Sequence, residues 1–411
     1  MNKKTVKDID VRGKRVLVRV DFNVPLDADR KITDDRRIVA ALPTINYLID
    51  NGARVILMSH LGRPKTDDSG KADAESVARF NLDPVVEALR ELLGKPVVKL
   101  DDCIGDAALQ AAKNLKDGDV MLLENLRFRA GEKKNDPDFA KQLAGLGELY
   151  VNDAFGTAHN NDASTTGITS YLTSVAGFLM EKEIDYLGKA MENPERPFLA
   201  ILGGVKVSGK IGVIDNLLDK VDQLIVGGAM AYTFLNAQGH SVGNSMVDGP
   251  GVELALAAFK KAEEKGVELL LPVDTVEVEL DADFDIPKGI PQDVAIANAP
   301  ATAMLDGYRG VDIGPESIKL FAEKIKAAKT VIWNGPMGVF EDSRFAKGTL
   351  GVAEAMAQCE GVTIVGGGDS AAAVELLGFA SKIDHVSTGG GASLKFFEGK
   401  ELPGVVCLQD K

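Results

Sequence analysis

The sequence has 411 residues, of which 45% are hydrophobic and 26% are charged. This mixture is typical of a soluble globular protein, and the length suits two domains better than a single core. Lys and Arg number 47 against 61 Asp and Glu, giving a formal net charge of −14. That balance argues against a general nucleic-acid or membrane-surface binder, since both need a positive field, so we expect neither partner.

The cysteines and the N-terminal sequence bear on the compartment. Cys103, Cys359 and Cys407 form no CxxC or metal-ligand pattern, so we expect buried apolar residues in a reducing environment. The N-terminal segment MNKKTVKDIDVRGKR is basic but precedes no apolar signal-peptide region. No apolar run approaches the length of about 18 residues that a membrane span needs. The sequence therefore predicts a cytoplasmic protein.

Short β-branched runs recur along the chain, each followed by Gly or polar residues and then by a helical pattern. The runs lie at 16–20, 54–58, 120–123, 149–152, 198–202, 223–226, 330–333 and 362–365. They are apolar rather than alternating, as in strands covered on both faces. The sequence therefore predicts an α/β protein with doubly wound parallel sheets of Rossmann-like type, whose ligands bind at the carboxyl ends of the strands.

A helical segment near the middle of the chain marks a domain boundary. Ile184, Leu187 and Met191 form its apolar face, and Pro194 and Pro197 stop it. We predict two Rossmann-like domains joined by an interdomain helix and hinge. The predicted boundaries are 1–180 for the N-terminal domain, 181–196 for the connecting helix, 197–392 for the C-terminal domain and 393–411 for a tail.

Arginine and histidine side chains recur just after the apolar runs of the first half. Arg36 and Arg37 open a helical segment, and other candidates follow the runs directly, namely Asp21, Phe22, Asn23, His60, Leu61, Gly62, Arg63, Arg127 and His159. Guanidinium groups match the geometry of carboxylates and phosphates. For any single arginine a surface ion pair stays an open alternative. Their shared placement predicts a pocket for a small multi-anionic substrate.

Glycines cluster after the runs of the second half, at 203–204, 227–228, 335, 366–368 and 389–391. Lacking a Cβ, glycine lets the backbone approach a ligand and exposes N–H groups at helix N-termini, where anions are favoured. One such turn means little, but five in one half predict a nucleotide site.

Two familiar nucleotide motifs nearly match and are rejected. Residues 204–210 fit GxxxxGK, but Ile211 replaces the hydroxyl residue that would hold Mg²⁺. Residues 366–371 resemble the dinucleotide pattern GxGxxA, but Asp369 would repel a pyrophosphate unless a cation lay between them. Asp369 is better explained as a ligand of Mg²⁺ bound to ATP. A nicotinamide-dependent oxidoreductase remains only a weak alternative.

Several long segments resemble signature motifs of the phosphoglycerate kinase family. They are VDFNVP at 20–25, MSHLGRP at 58–64, GGVKVSGK at 203–210, WNGPMGVFE at 333–341, GGGD at 366–369 and STGGGA at 387–392. They occur in the family's order, and the match runs essentially from end to end. The resemblance implies reversible Mg²⁺-dependent phosphoryl transfer between ATP and 3-phosphoglycerate, giving ADP and 1,3-bisphosphoglycerate. It also implies a monomer, with the C-terminal tail packed on the N-terminal domain.

The resemblance also assigns residues to roles. Phosphoglycerate would bind to the strand-end residues of the first half given above, with Arg37 rather than Arg36 as the catalytic arginine. Lys206 and Lys210 would contact the nucleotide phosphates as further catalytic residues, and Asp369 would hold the metal. The remaining nucleotide contacts would come from Gly310 near the adenine, Glu341 at the ribose, and Asn334, Gly367, Gly368, Asp369 and Ser370.

One segment departs from the family pattern. After DAFGTAH the family usually has Arg and, two residues later, often His, whereas this chain has Asn160 and Asp162. A hydrogen bond to a charged partner contributes roughly 1.5–3 kcal/mol, so we expect weakened phosphate binding, with Asn160→Arg as its test. The alternative is a non-catalytic or weakened relative that keeps the fold and binds nucleotide.

Overall fold

The computed structural model describes residues 2–411 and divides the chain into two compact units. Unit 1 comprises Met1–Asp185 with Glu401–Lys411, and unit 2 comprises Tyr186–Lys400. The division falls inside helix Phe178–Glu192, which begins three residues before the predicted connecting helix. Residues 393–400, which the sequence placed in the tail, belong to unit 2. None of the helices described in residues 2–411 is long and apolar enough to cross a membrane.

Unit 1 is built on a sheet of six parallel strands in the order β3-β4-β2-β1-β5-β6. Five residues of β1 lie between β2 and β5 and are apolar except at the two arginines, as expected of a central strand covered on both faces. The strands are β1 Arg15–Arg19, β2 Arg54–Met58, β3 Val97–Lys99, β4 Val120–Leu122, β5 Leu149–Asn152 and β6 Thr173–Ala176.

The helices of unit 1 follow the strands and bury one face against the sheet. Helix α1 is typical, since Ile38, Ala41, Ile45 and Leu48 recur every three or four residues and are buried. Its first turn carries Arg37. The helices are α1 Arg36–Asp50, α2 Ala74–Phe80, α3 Asp83–Leu93, α4 Asp106–Asn114, α5 Ala130–Lys133, α6 Pro137–Ala144 and α7 Phe178–Glu192.

Unit 2 contains a second sheet of six parallel strands, in the order β15-β14-β13-β7-β8-β9. A separate three-stranded antiparallel sheet has the order β11-β10-β12. The strands are β7 Phe198–Leu202, β8 Gln223–Val226, β9 Glu268–Leu270, β10 Asp274–Glu279, β11 Ile296–Pro300, β12 Tyr308–Ile313, β13 Thr330–Asn334, β14 Val362–Val365 and β15 His385–Val386.

Most helices after α7 belong to unit 2. They are α8 Ile211–Leu218, α9 Met230–Ala237, α10 Gly249–Lys265, α11 Pro315–Ala327, α12 Lys347–Ala357, α13 Gly368–Leu376 and α14 Gly390–Phe397. The last helix, α15 Pro403–Val406, lies in unit 1. There the Gly404 N–H donates to the Ala158 carbonyl (2.8 Å), and the Asn152 amide donates to the Gly404 carbonyl (2.9 Å).

The predicted fold class is confirmed, since each unit has a parallel sheet wrapped by helices. The antiparallel sheet was missed. Its central strand β10 has the sequence DTVEVE, in which apolar and polar residues alternate, whereas a strand covered on both faces is a continuous apolar run.

Candidate active site

The carboxyl ends of three adjacent strands of unit 1 form one edge of the sheet. Arg19 pairs in register with Met58 of β2 and with Asn152 of β5. The residues after these positions, beginning at Val20, Ser59 and Asp153, therefore emerge side by side. Most of the predicted anion-binding residues follow these strands or β4 beside them.

Arg37 is held against the loop that follows β1. Its Nη1 donates to Asp21 Oδ2 (3.0 Å) and to the Asn23 carbonyl (3.1 Å). Asp21 is buried, while about a third of the Arg37 side chain is exposed. The neighbouring Arg36 instead pairs with Asp34 through its Nε (2.9 Å). Of the two arginines, Arg37 is thus directed to the predicted pocket.

A second set of contacts links the loops after β1, β2 and β4. Asn23 Oδ1 accepts from the Gly62 N–H (2.8 Å), and the Gly62 carbonyl accepts from Arg127 Nη1 (2.8 Å). Burial lowers the pKa of Arg127, and the nearby Arg19 lowers it further. A partly buried cation among other cations is stabilised by an incoming anion, which favours phosphate or carboxylate binding here.

His60 is buried beside a fully buried arginine. Arg19 Nη2 lies 3.1 Å from His60 Nδ1, and since arginine can only donate, Nδ1 accepts. The ring proton is therefore on Nε2. Burial lowers the pKa of His60 well below its usual value, and the positive charges of Arg19, Arg127 and Arg37 act in the same direction. His60 is thus a neutral hydrogen-bond donor.

The other predicted residues of unit 1 differ in placement. Phe22 and Leu61 are buried in the hydrophobic core, so only their backbone atoms are available to a ligand. Arg63 is exposed, and His159 and Asn160 are partly buried. Arg19 was not among the predicted site residues, although it is the one charge inside the apolar run VLVRV.

Gly62 allows this packing because its φ is +63° and an added Cβ would overlap the Phe80 ring. We expect Gly62→Ala to lower the free energy of unfolding by about 1–3 kcal/mol and to raise KM for the anionic substrate. Gly94→Ala is the control, since Gly94 has a φ of +62° with nothing within 4 Å of the added Cβ. Urea unfolding of both variants measures the difference. Equal losses would mean that backbone conformation alone, not the Phe80 contact, sets the requirement.

In unit 2, the ends of β7 and β13 approach closely. An added Cβ at Gly203 would overlap the carbonyls of Gly335 and Pro336, and Gly335 itself has a φ of +100°. The glycines that the sequence assigned to a nucleotide site thus serve a close backbone approach here.

Lys210 lies at this junction. Its Nζ donates to the Gly203 carbonyl (2.7 Å), to the Asn334 carbonyl (3.1 Å) and to Asn334 Oδ1 (2.6 Å). Burial lowers the pKa of Lys210 to about 8, and Asp369 opposes the shift. Lys206, four residues earlier, is exposed, and no hydrogen bond or ion pair holds its side chain within residues 2–411.

The loop after β14 joins the same junction. Asn334 Nδ2 donates to the Gly366 carbonyl (2.9 Å), and buried Ser370 accepts from the Gly335 N–H through its hydroxyl (2.5 Å). Gly367 has a φ of +100°, and Gly368 begins α13. The structure therefore brings Lys210, Asn334, the residues 367–370 and the glycine turns together at the carboxyl ends of β7, β13 and β14.

The position of Asp369 is suitable for a carboxylate that binds Mg²⁺ together with nucleotide phosphates. It is exposed in the first turn of α13. Mg²⁺ in nucleotide sites is commonly held by one or two carboxylates and by phosphate oxygens. Within residues 2–411 no three His, Cys or acidic side chains are grouped as ligands. The position thus suits a metal that arrives with the nucleotide.

Gly310 and Glu341 lie on neighbouring segments. Gly310 is on β12, where an added Cβ would overlap the Tyr232 hydroxyl. Glu341 is exposed after β13, and the Val339 N–H donates to the Val311 carbonyl (2.8 Å), which joins this segment to β12. Neither Gly310 nor Glu341 has a hydrogen bond to the Lys210 junction among the contacts of residues 2–411.

Buried Asp312 on β12 was not among the predicted site residues, and no local sequence pattern distinguishes it. It accepts from the N–H groups of Ile313 (2.9 Å) and Gly348 (2.7 Å). Burial raises its pKa to about 7. The folded protein therefore binds this proton more tightly than the unfolded chain, and the resulting stability is lost as pH rises through about 7.

We expect the free energy of unfolding to fall by on the order of 3 kcal/mol between pH 5 and pH 8 because of Asp312. Asp312→Asn removes the titration, so its unfolding free energy should vary less over this range. Denaturant unfolding of both proteins at each pH measures the difference. Parallel pH profiles would mean that Asp312 does not titrate near neutrality.

The protein-family model for phosphoglycerate kinase matches residues 6–400 of this chain. Phosphoglycerate kinases from Chlorobium phaeobacteroides and Clostridium botulinum are 55% and 54% identical to this chain, covering all of it and 100% and 99% of their own lengths.

Solved structures give the same result. The phosphoglycerate kinase from Coxiella burnetii matches with a TM-score of 0.86 at 40% identity, covering 98% of both chains. The enzyme from Pyrococcus horikoshii matches with a TM-score of 0.83 at 34% identity, covering 99% of this chain and 98% of its own. The alternative of a non-catalytic relative finds no support in these comparisons. The chain belongs to the phosphoglycerate kinase family and is an enzyme of the phosphotransferase class.

Proposed function

We propose that this enzyme catalyses the reversible, Mg²⁺-dependent transfer of a phosphoryl group between ATP and the carboxylate of 3-phosphoglycerate. Family membership supports the reaction. The observation that supports it for this chain is the cationic edge of the unit 1 sheet, where Arg37 and Arg127 act on neutral His60 in a protein of net charge −14. No covalent enzyme intermediate is required.

In this proposal the substrate acid binds at Asp21, Asn23, Arg37, His60 and Arg127, with Arg63, Gly62 and His159 beside them and Phe22 and Leu61 shaping the loops. Arg37 neutralises charge at the reacting carboxylate, and neutral His60 donates a hydrogen bond from Nε2. One carboxylate oxygen attacks the γ-phosphorus of ATP while the bond to the ADP oxygen breaks in line. Fixed cations around the transferring group supply most of the rate enhancement.

The nucleotide side is proposed for unit 2. Exposed Lys206 reaches the transferring group, while Lys210, Asn334, Gly367, Gly368 and Ser370 shape the phosphate loop. Asp369 holds the Mg²⁺ that arrives with the nucleotide and that neutralises phosphate charge. Gly310 borders the adenine, and Glu341 accepts from the ribose hydroxyls. We propose a cytoplasmic monomer that acts in glycolysis and has these substrates as its partners.

The test is an initial-rate assay with MgATP and 3-phosphoglycerate, in which a coupled dehydrogenase consumes the acyl phosphate. Saturable turnover that requires both substrates and Mg²⁺ is expected. Absence of turnover, with MgADP still binding by calorimetry, would overturn the proposed reaction. Omitting Mg²⁺ should abolish the rate, and sedimentation should give a monomer of 43.7 kDa.

A further inference from the structure

Lys133 is a half-exposed cation that a buried carboxylate holds in place. Its Nζ donates to Asp162 Oδ1 at 2.9 Å. The Lys133 side chain is 51% exposed, whereas Asp162 is 2% exposed. An ammonium group has three donors, and Asp162 uses one of them. Among the partners that residues 2–411 offer, no other accepts from Lys133, so two donors remain for a ligand.

Lys133 is covalently next to a buried network that ends at the substrate pocket. Glu132 Oε1 accepts from the Ser164 hydroxyl (2.6 Å), and that hydroxyl accepts from Arg19 Nε (2.8 Å). Arg19 in turn contacts His60 at 3.1 Å. Glu132, Ser164 and Arg19 are fully buried, so the backbone that carries Lys133 has little freedom to move.

Electrostatic effects place both members of the pair near the same pocket. Lys133 is one of the cations that lower the pKa of His60. Asp162 raises the pKa of Arg127, whereas burial lowers it. Lys133 therefore brings a positive charge, paired with the negative charge of Asp162, near the pocket in which the anionic substrate is proposed to bind.

Three of the other cations of this pocket donate to protein groups or are buried, and the fourth, Arg63, is exposed. Arg37 bonds to Asp21, Arg127 bonds to the Gly62 carbonyl, and Arg19 is fully buried. Residue 160, next to His159, is a neutral asparagine. A phosphate group with its two negative charges needs donors that are both exposed and positioned, and a tethered ammonium meets that need.

We propose that Lys133, positioned by Asp162, binds the phosphate group of the phosphorylated acid and contributes to the selection of that substrate. The inference rests on the proposed function and deepens it. The proposal also supplies a cation for the phosphate group in a pocket where residue 160 is a neutral asparagine. The competing explanation is that Lys133 only neutralises the buried Asp162 carboxylate.

The first experiment replaces Lys133 and compares steady-state parameters. Lys133→Met should raise KM for 3-phosphoglycerate by about 10- to 100-fold and leave KM for MgATP within twofold. Lys133→Arg keeps the charge and should stay within about threefold of the unmodified enzyme. Lys134→Met is the matched control, since Lys134 is the next residue and is exposed. An unchanged KM for 3-phosphoglycerate in Lys133→Met would overturn the proposal.

The double variant Lys133→Met/Asp162→Asn separates the two explanations. It removes both charges, so the carboxylate is not left unpaired to repel the substrate or to destabilise the fold. We expect its KM for 3-phosphoglycerate to stay raised, and Asn160→Arg added to Lys133→Met to lower KM again. Full recovery in the double variant would mean that Lys133 only neutralises Asp162, and the proposal would be wrong.

Calorimetric titration with 3-phosphoglycerate and with unphosphorylated D-glycerate makes the test independent of turnover. Lys133→Met should weaken binding of the phosphorylated acid and leave the much weaker D-glycerate binding unchanged. Equal weakening of both would assign Lys133 to the carboxylate and overturn the phosphate role. If the unmodified chain binds 3-phosphoglycerate but does not turn over, the proposed reaction fails while the binding role of Lys133 is still decided.

Discussion

Arg37→Met is expected to lower kcat by about 10²- to 10³-fold, the usual cost of removing one preorganised donor that stabilises transition-state charge. Arg37 is half-buried and held by Asp21 and the Asn23 carbonyl, so its guanidinium is in place before substrate binds. Such a contact acts mainly on the transition state, so kcat should fall more than KM rises. Initial rates with MgATP and 3-phosphoglycerate measure both.

Arg36→Met is a closely matched control, because Arg36 and Arg37 are adjacent on α1 but make different contacts. Arg36 pairs with Asp34, and about 40% of its side chain is exposed. An exposed ion pair contributes about 0–1 kcal/mol, so this variant should keep kcat within about threefold. Arg37→Lys should recover part of the rate, because lysine restores the positive charge but not the forked donors of the guanidinium group. Similar losses in the Arg36 and Arg37 variants would contradict the assignment.

The two parallel sheets could be predicted from the sequence because their strands are covered on both faces. A strand such as β7, FLAIL, is buried at all five positions, so it is a continuous apolar run. Strand β10 has a different environment, with partners on both sides in a small antiparallel sheet and alternating burial along part of its length. Its pattern is not that of the parallel core, and a search for apolar runs passes over it.

The candidate site was predictable in part, because ligands of parallel sheets collect at strand ends. The positions of Asp21, His60 and Arg127 after the apolar runs predict that they lie at the same edge of the sheet. Sequence position does not predict which of these side chains form hydrogen bonds with each other. Arg19 lies inside a strand, and its contact with His60 joins two segments that are far apart in the sequence. Lys133 and Asp162 are 29 residues apart, and their pairing depends on the packing of α5 against the segment after β5.

The different environments of Lys206 and Lys210 lead to the second large expected effect. Lys206 is exposed, and no hydrogen bond from its side chain is found among residues 2–411, so in the proposed reaction it is available to the transferring group. Lys210 already donates to three oxygens. Lys206→Met should therefore lower kcat by about 10²- to 10³-fold with little change in stability. Lys210→Met should lower kcat/KM for MgATP by about 10²-fold and destabilise the fold.

The loss of stability in Lys210→Met has a structural cause. The Gly203 and Asn334 carbonyls would lose a donor at a junction where glycines let the backbones of β7 and β13 approach, at a cost of about 1–3 kcal/mol. Thermal and urea unfolding of the two lysine variants measure this difference. If Lys206→Met destabilises the protein as much as Lys210→Met, the distinction between an exposed and a structural lysine is wrong.

The pH dependence of nucleotide binding separates the two lysines further. Burial lowers the pKa of Lys210 to about 8 in the free protein, so its positive charge is lost as pH rises through that value. Since phosphates bind the charged form, the calorimetric Kd for MgATP should rise roughly tenfold between pH 7 and pH 9. Lys206→Met should keep this dependence, and Lys210→Met should lose it. A dependence that survives in Lys210→Met would place the titrating group elsewhere and leave Lys210 with a structural role alone.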